Sequence, residues 1–328
     1  MTATDPNTSL PYFPSVSIVI PVYNGRKTIQ TCLEAILQQE YPREQYEVIV
    51  VDNNSSDGTP DLVQKYPVKL VYEKEIQGPH AATNTGVKQA KGEILVFTDS
   101  DCVPEPDWLR RLIAPFSDDS VVGTGGRIEA YKPSTPVERF LDQMKPFKNA
   151  YQASPNFPAA LITGNCAIRR EDFMAAGMFN PNMYTGAEVD LSYRVQLQTG
   201  KRVIYVPEAV VYHIFSPTVK RLGRHFYIYG YSEILLGTIY KDVPGYPWTP
   251  TEQFKIMLRQ VKALFTYLAS FGFRVISYPF RRKVDQDYFL TPLFWFWVEL
   301  NNLRGKIEGL WVTRFYRRKF WEKGVRVI

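Results

Sequence analysis

The sequence predicts an α/β fold in which a mostly parallel sheet is flanked by helices and followed by a helical C-terminal extension. Apolar, β-branched runs at 16–22, 46–51 and 93–98 are typical of strands buried on both faces. Between these runs, apolar residues recur at helical spacing. After residue 217 the sequence has a helical pattern and is rich in aromatic and basic residues. Strands that alternate with helices predict parallel pairing through right-handed crossovers.

The remaining elements continue this alternation less regularly. Predicted strands lie at 68–72, 120–131, 160–168 and 203–213, and predicted helices at 29–37, 59–66, 80–90, 134–150 and 188–198. Residues 1–14 have neither a basic start nor an apolar run of signal-peptide length, so we expect a short disordered lead there. The main domain is predicted to span 15–240 and the helical extension to span 241–328.

Composition limits the possible classes of protein. The chain has 328 residues, of which 45% are hydrophobic, enough to bury a full core and to exclude wholesale disorder. Residues 1–200 hold 18 basic and 24 acidic side chains, a net of −6, and residues 201–328 hold 21 and 9, a net of +12. The basic part suits an anionic lipid surface or an anionic substrate. Three cysteines without zinc-binding spacing predict a reducing, intracellular compartment.

Two aspartates follow the predicted strand at 93–98, in the sequence Asp99-Ser100-Asp101. Residues two apart in an extended backbone point to the same side, and two neighbouring carboxylates repel unless a cation lies beside them. Mg²⁺ and Mn²⁺ bind carboxylate oxygens, often together with substrate phosphates. Ligands of parallel α/β sheets bind beyond the carboxyl ends of the strands. We therefore interpret this pair as a metal site rather than as a solvated turn.

Four further residues are candidates on chemical grounds, each with a structural alternative. Asp52 ends the second predicted strand and is either a ligand contact or part of an Asx turn or helix cap. Glu188 and Asp190 would lie on the first turn of a helix, as a general base or as acidic complements to the helix dipole. His213 follows a predicted strand and is either a metal ligand or a structural residue.

Taken together, these segments resemble the family 2 glycosyltransferases. The matching segments are 19–24 (VIPVYN), 51–59 (VDNNSSDGT), 84–86 (NTG), 92–101 (GEILVFTDSD), 163–165 (TGN) and 186–194 (GAEVDLSYR). The resemblance covers roughly residues 15–240, about two-thirds of the chain, and it rests on the order and spacing of these motifs.

This resemblance implies a Rossmann-like catalytic domain of the GT-A type and an inverting transfer of a sugar from a nucleoside diphosphate donor. The donor site is expected at Pro21, Tyr23, Asp52, Asn84 and Ser100. The resemblance places a divalent cation, Mg²⁺ or Mn²⁺, and the diphosphate at Asp99 and Asp101. His213 is added as a third candidate ligand, because imidazole commonly binds metals. It places the catalytic base at Glu188, with Asp190 as the rival candidate.

The chain departs from the family pattern at three places. Ala187-Glu188 stands where the family often has Glu-Asp, which makes the base one methylene longer. Thr83 stands where the family often has Arg, so a positive contact to the donor is expected from elsewhere. No Gln-x-x-Arg-Trp sequence follows Arg194, although processive polysaccharide synthases of the family have one. This difference favours the addition of a single sugar.

The C-terminal region predicts contact with a membrane. The uncharged runs 263–273 and 289–298 are each about half of the roughly 20 residues needed to span a bilayer. Basic residues flank these aromatic-rich runs, which is typical of the interface of an anionic membrane. We expect peripheral docking on the inner face of the cytoplasmic membrane, with packing on the main domain or an oligomer contact as alternatives. No recognisable module predicts a nucleic acid partner.

Two other functions remain open from the sequence. A sugar nucleotidyltransferase would want a glycine-rich, basic phosphate loop after the first strand, which the segment 21–25 (PVYNG) matches poorly. A non-catalytic, nucleotide-sugar-binding membrane scaffold is kept open by Ala187. In the leading interpretation the acceptor is a sugar, a lipid-linked sugar or a polysaccharide precursor.

Overall fold

The computed structural model describes residues 13–146, 157–183, 185–278 and 285–315. The predicted disordered lead lies outside these ranges except for its last two residues, Phe13 and Pro14. Residues 316–328, which are rich in basic and aromatic side chains, also lie outside the described ranges.

An eight-stranded sheet forms the centre of the described part of the chain. Its strands are β1 (Val16–Val22), β2 (Tyr46–Asp52), β3 (Lys69–Tyr72), β4 (Ile94–Phe97), β5 (Cys102–Pro104), β6 (Val121–Ala130), β7 (Cys166–Arg169) and β8 (Arg202–His213). The strand order is β3-β2-β1-β4-β7-β6-β8-β5. Strands β1 to β4 are mutually parallel, as predicted, whereas β7 runs antiparallel to both β4 and β6.

Helices cover the sheet and then form the C-terminal region. They are α1 (Ile29–Ile36), α2 (Thr59–Val63), α3 (Pro79–Val87), α4 (Trp108–Ile113), α5 (Pro136–Met144), α6 (Arg170–Ala175), α7 (Ala187–Thr199), α8 (Val219–Tyr240), α9 (Pro250–Ser277) and α10 (Gln286–Phe315). Short 3-10 helices lie at Arg43–Gln45 and Ala114–Ser117. The predicted class is therefore confirmed: a mixed α/β sheet with flanking helices and a helical C-terminal region.

The apolar strands are buried on both faces of the sheet. Val19 and Ile49 pack with residues of α3 and α7 on one face, and Ile18 and Val50 pack with residues of α1 and α4 on the other. Each such side chain, when fully removed from water, contributes about 2 kcal/mol to stability. This double burial explains why the strand runs lack a polar alternation, and it fixes the carboxyl ends of β1, β2 and β4 at one edge.

Three short elements were not predicted from the sequence, and one predicted strand is shorter than expected. The elements β5, α4 and α6 have three to six residues each, too few to show a helical or strand period. The strand predicted at 160–168 begins only at Cys166. The helix predicted at 134–150 ends at Met144, and residues 147–150 lie outside the described ranges.

Helix α8 packs lengthwise against α10, and two glycines allow their backbones to touch. A Cβ at Gly230 would overlap the carbonyl oxygen of Asn302, and a Cβ at Gly305 would overlap the carbonyl oxygen of Tyr227. Because α8 ends at Tyr240 yet packs on the C-terminal region, the predicted division at residue 240 separates two helices in close contact. The division into two domains stays a prediction.

The second apolar run of the C-terminal region belongs to a core. Phe294 and Val298 are buried in one cluster with Val137 and Phe140 of α5 and with Leu222 of α8. This part of the run 289–298 is therefore covered by protein, contrary to the expectation that the run meets lipid. None of the helices in the described ranges combines the length and apolarity that crossing a bilayer requires.

Helix α9 differs, because an apolar face of it is open to solvent. The exposed apolar side chains follow one another at intervals of three or four residues, which places them on one face. They are Phe254, Leu258, Val261, Phe265 and Leu268.

Candidate active site

The carboxyl ends of β1 and β4 open into a cleft with a volume of about 1980 Å³. Pro21, Tyr23 and Ser100 line it from the sheet edge, Glu188 from α7 and His213 from β8. Small-molecule sites usually enclose about 300–1,000 Å³, so this cleft has room for two substrates at once.

An acidic cluster lies in the cleft at the end of β4. One ligand atom each from Asp99, Asp101, Cys102 and His213 can be chosen so that all lie within 4.8 Å of one another. The pairing of β5 with β8 explains this arrangement, because Cys102 stands opposite His213 and the Ile214 amide donates to the carbonyl of Asp101 over 2.8 Å. This strand pairing places His213 beside Asp99 and Asp101, although it follows them by more than 100 residues in the sequence.

The electrostatics of the cluster favour a bound cation. Burial, followed by the charge of Asp101, raises the pKa of Asp99 to about 7, and His213 opposes that shift. His213 Nε2 lies 3.4 Å from Asp101 Oδ1. Burial and the two carboxylates raise the pKa of the Cys102 thiol, which keeps it protonated. Two carboxylates and one imidazole remain as donors, a set that fits Mg²⁺ or Mn²⁺ and leaves positions for substrate oxygens.

Glu188 is the acidic residue of α7 that faces the cleft. Its Oε2 atom lies 3.3 Å from Nε2 of His80 in α3. His80 is buried against the ring of Phe179, with ring centroids 5.2 Å apart. Burial lowers the pKa of His80 although Glu188 opposes the shift, so the imidazole is neutral near pH 7 and can donate a hydrogen bond to the carboxylate.

Sequence reasoning missed this role of His80. The residue stood out only as one of three histidines in the chain, four positions before the Asn84 motif. Its partner lies 108 positions away on another helix, and no local pattern reveals such a pair.

Asp190 occupies a different environment from Glu188. It is buried and forms an ion pair with Arg194, whose Nη2 lies 2.8 Å from Oδ2. Its Oδ1 atom accepts a hydrogen bond of 2.8 Å from the hydroxyl of Tyr240. Residues two apart on a helix point about 200° apart, so Asp190 faces away from the side that Glu188 presents to the cleft. These contacts favour a structural role for Asp190, and the choice of Glu188 over Asp190 as the base stays a prediction.

The turn after β2 is tied to the loop after β1 by side chains. The Asn24 amide donates to Ser55 Oγ over 2.8 Å, and Asn24 Oδ1 accepts from the Ser56 amide over 2.8 Å. The Gly25 amide donates to Thr59 Oγ1 over 3.0 Å. These bonds hold two loops of the sheet edge in fixed positions beside the cleft.

Asp52 forms the predicted Asx turn, and its predicted contact with the donor stays a prediction. Its Oδ2 atom accepts from the Ser55 amide over 3.1 Å, which is an Asx turn. Its Oδ1 atom is buried and has no hydrogen-bond partner among the described residues, so an acceptor remains at the sheet edge. Tyr23, 58% exposed, lines the cleft nearby with a ring face available for stacking.

Asn84 is buried, and its predicted role as a donor contact stays a prediction. Its amide nitrogen donates to the Phe179 carbonyl over 2.7 Å, and its Oδ1 accepts from the Phe179 amide over 3.1 Å. Both polar ends of this buried side chain are therefore engaged in joining α3 to the segment before α7. Thr83 is buried and donates to the carbonyl of Pro79.

Positive side chains reach the cleft from other elements. Lys27 lines it from the loop after β1, and Arg221 and Arg224 line it from α8. His225, also in the lining, is close enough to Asp101 and His213 for their charges to affect its pKa, which burial lowers. Lys27, Arg221 and Arg224 thus bring positive charge to the cleft, whereas position 83 carries the neutral Thr83.

The side of α8 that faces the cleft forms one of its walls. Arg221, His225, Tyr229 and Glu233 line the cleft at four-residue intervals. Burial raises the pKa of Tyr229, and the charges of Glu188 and Asp99 add to this rise, so the phenol lies near both groups. The helix thus passes the acidic cluster first and Glu188 next.

Comparison with known proteins identifies the family. The model of glycosyl transferase family 2 matches residues 17–176. The glycosyltransferase AglE of Haloferax volcanii is 33% identical over 220 residues, which are 65% of this chain and 71% of AglE. The chain belongs to glycosyl transferase family 2. Another member, the poly(ribitol-phosphate) β-N-acetylglucosaminyltransferase TarS of Staphylococcus aureus, is 39% identical over 223 residues, and the chain spans 37% of its length.

Solved structures of other glycosyltransferases confirm the GT-A architecture. The mannosyltransferase PcManGT of Pyrobaculum calidifontis, in complex with GDP-Man and Mn²⁺, superposes with a TM-score of 0.59 at 22% identity, over 94% of this chain and 91% of that one. Residues 1–349 of S. aureus TarS, in complex with UDP-GlcNAc, give a TM-score of 0.52 at 16% identity, over 92% and 91%. The similarity extends through the C-terminal helices as well as the sheet.

Proposed function

We propose that the chain is a metal-dependent, inverting glycosyltransferase that moves one sugar from a nucleoside diphosphate donor to an acceptor hydroxyl. One observation carries this proposal: a cluster suited to a cation, at Asp99, Asp101 and His213, shares a single cleft with the carboxylate of Glu188. A leaving-group site and a base site would thus face the same pair of bound substrates.

The donor is proposed to bind along the sheet edge. Its nucleobase would lie near Pro21, Tyr23 and the free oxygen of Asp52, and its diphosphate near Asp99 and Asp101. The complexes of PcManGT with GDP-Man and Mn²⁺ and of TarS with UDP-GlcNAc support a donor of this class. A divalent cation, Mg²⁺ or Mn²⁺, on the cluster would neutralise the charge that develops on the leaving diphosphate.

Glu188 is proposed as the general base. Its carboxylate removes the proton of the acceptor hydroxyl while that oxygen forms a bond to the anomeric carbon. The bond from this carbon to the diphosphate oxygen breaks on the opposite face, and its electron pair leaves with the diphosphate. The configuration at the anomeric carbon is therefore inverted. His80 holds the carboxylate in place through the contact at 3.3 Å.

The scaffold alternative loses its main support. Ala187, the departure that kept it open, is fully buried in the first turn of α7 and does not stand at the cleft. The next residue, Glu188, is the one whose carboxylate lines the cleft.

A peripheral membrane location is proposed for α9. Its exposed apolar face would insert at the lipid boundary, and the exposed Lys255, Arg259 and Lys262 would meet anionic headgroups. The inner face of the cytoplasmic membrane is the proposed surface, where a lipid-linked acceptor would be delivered to the cleft.

Donor turnover tests the proposed reaction. Purified protein with Mn²⁺ and a panel of UDP-, GDP- and dTDP-sugars should hydrolyse at least one donor, and NMR should find inverted configuration in the released sugar. Glu188→Gln should keep donor binding and lose about 10²–10⁴-fold in rate, the usual contribution of a positioned base. Binding of donors without turnover by the wild type would favour the scaffold instead.

A further inference from the structure

The cleft continues past Glu188 into the space between α8, α9 and α10. Beside apolar side chains, five polar ones from these three packed helices line that end. They are Glu233 of α8, Gln260 of α9, and Glu299, Asn302 and Lys306 of α10. We call these five residues the helical pocket.

Hydrogen bonds hold the helical pocket in one arrangement. Lys306 is 2% exposed, and its Nζ lies 2.8 Å from Glu233 Oε2 and 3.2 Å from Gln260 Oε1. Gln260 Nε2 donates to Glu299 Oε2 and to Asn302 Oδ1, each over 2.8 Å. The carboxylates accept only part of the hydrogen bonds they are able to accept, since each oxygen has two lone pairs.

Stability alone does not account for such a network. Apolar side chains of similar volume commonly stabilise a helix interface as well as a buried charged group such as Lys306 does, or better. Within α9, all of whose residues the structure describes, Gln260 is the one buried side chain. The helix thus turns a polar residue inward and apolar residues such as Phe265 outward, the reverse of the usual pattern.

The helical pocket adjoins the reaction centre. A Cβ added at Gly186, the residue before α7, would lie 3.1 Å from Cβ of Ser232, the neighbour of Glu233. Glu188 follows Gly186 by two residues. A molecule that fills the pocket would therefore end close to the proposed base.

We propose that the helical pocket binds the acceptor, and that the acceptor is a neutral, hydroxyl-rich saccharide. This inference rests on the proposed transferase function. Carboxylates and amides match adjacent sugar hydroxyls, which both donate and accept hydrogen bonds. Trp248, which is 48% exposed, also lines the cleft and offers a ring face to a sugar. Two carboxylates against one ammonium leave a negative surplus, which disfavours a phosphate group here.

Binding of model acceptors tests the pocket in the full-length protein. The probes are p-nitrophenyl glycosides of neutral hexoses and N-acetylhexosamines, titrated by saturation-transfer NMR in the presence of UDP or GDP and Mn²⁺. The wild type should bind at least one glycoside. Gln260→Leu and the conservative Glu299→Gln should each weaken that binding by about tenfold, the effect expected from losing a hydrogen bond to a charged or buried group.

Controls separate this pocket from folding and from the donor site. Thr266→Val, on α9 outside the cleft lining, should bind the glycoside as the wild type does. In the pocket variants the dissociation constant of the nucleotide should change by less than about twofold. Thermal unfolding checks that each variant is folded, and Glu299→Gln keeps an oxygen acceptor for Gln260 if Gln260→Leu fails to fold.

The outcomes distinguish the two proposals. If the protein binds UDP or GDP with Mn²⁺ but no glycoside, or if the pocket variants bind glycosides normally, the acceptor pocket is wrong and the transferase function stands. If the wild type binds citronellyl phosphate, a soluble lipid phosphate, and the pocket variants do not, the pocket holds a phosphate and the saccharide proposal is overturned. If neither nucleotide binds, the proposed function itself fails.

Discussion

His80 Nε2 lies 3.3 Å from Glu188 Oε2, which joins the first turn of α3 to the first turn of α7 at the cleft. A neutral, buried imidazole that donates to a carboxylate fixes the direction of its lone pairs. We expect His80→Phe to lower kcat about ten- to hundredfold, as small displacements of catalytic groups do, with little change in the donor KM. His80→Gln keeps an N–H donor and should recover part of the rate. Equal rates in the two variants would contradict this positioning role.

Substitution of Glu188 should lower the reaction rate, whereas substitution of Asp190 should lower stability. Asp190→Asn leaves Arg194 without its buried partner and should lower the free energy of unfolding by about 3–5 kcal/mol, the usual cost of breaking such a pair. Tyr240→Phe removes one neutral donor and should cost about 1 kcal/mol. Glu188→Gln should unfold near the wild-type denaturant concentration. Urea unfolding measures all three, and a catalytically dead but fully stable Asp190→Asn protein would reverse the assignment.

The acidic cluster should make nucleotide binding depend on metal. Asp101→Asn should weaken Mn²⁺-dependent binding of UDP or GDP, because it removes one charged oxygen ligand beside Asp99 and His213. Calorimetry with Mn²⁺ and with EDTA measures the effect. Asp107→Asn is the matched control, since Asp107 pairs with Arg111 at the start of α4 rather than with the cluster. An unchanged response to metal in Asp99→Asn/Asp101→Asn would remove the cluster from the donor site.

Two histidines whose pKa values are lowered in the folded protein should make stability depend on pH. Burial lowers the pKa of both His80 and His225 from 6.5. The unfolded chain takes up protons at these sites below 6.5 and the folded protein resists them. Their stabilising effect is therefore complete above 6.5 and is lost as the pH falls from 6.5 through the lowered folded-state values.

The melting temperature at about pH 7.5 and about pH 5.5 measures this dependence. The double variant His80→Gln/His225→Gln should lose less stability between the two pH values than the wild type does. A loss as large as that of the wild type would place the pH dependence on other groups.

The exposed face of α9 should decide membrane binding. Phe265 and Ile276 are 71% and 75% exposed, and Phe265→Ser/Ile276→Ser removes two large apolar groups without disturbing a core. We expect flotation of the wild type with anionic vesicles, partial release at high salt because of screening, and binding weakened about tenfold or more in the variant. Leu197→Ser, at an exposed site on α7, is the control and should float normally. Failure of the wild type to float would make this face a protein contact.

The sequence predicted the parts of the site that depend on local pattern. Apolar runs located β1, β2 and β4, and the rule that ligands bind at carboxyl ends placed Asp99 and Asp101 correctly at the cleft. It could not reveal that a three-residue strand, β5, pairs with β8 and delivers His213, because that pairing has no period to detect. Likewise, no local pattern shows that Asn84 bonds to Phe179, which lies 95 positions later in the chain.

Aromatic content misled the prediction for α10 in a similar way. A run rich in Phe and Trp suits a membrane interface or a protein core equally well, and only the partner decides. That partner is α5, about 150 residues earlier in the chain, whose Val137 and Phe140 cover Phe294 and Val298.

The touching backbones of α8 and α10 have a consequence for mutational tolerance. Any side chain at Gly230 or Gly305 must push the two helices apart by roughly the width of a methyl group, since backbone atoms cannot yield as a flexible side chain can. Such a shift would move Glu233 relative to Lys306 and widen one end of the cleft. Two positions without any reactive group are therefore expected to tolerate substitution as poorly in a saturation scan as the acidic residues at the opposite end.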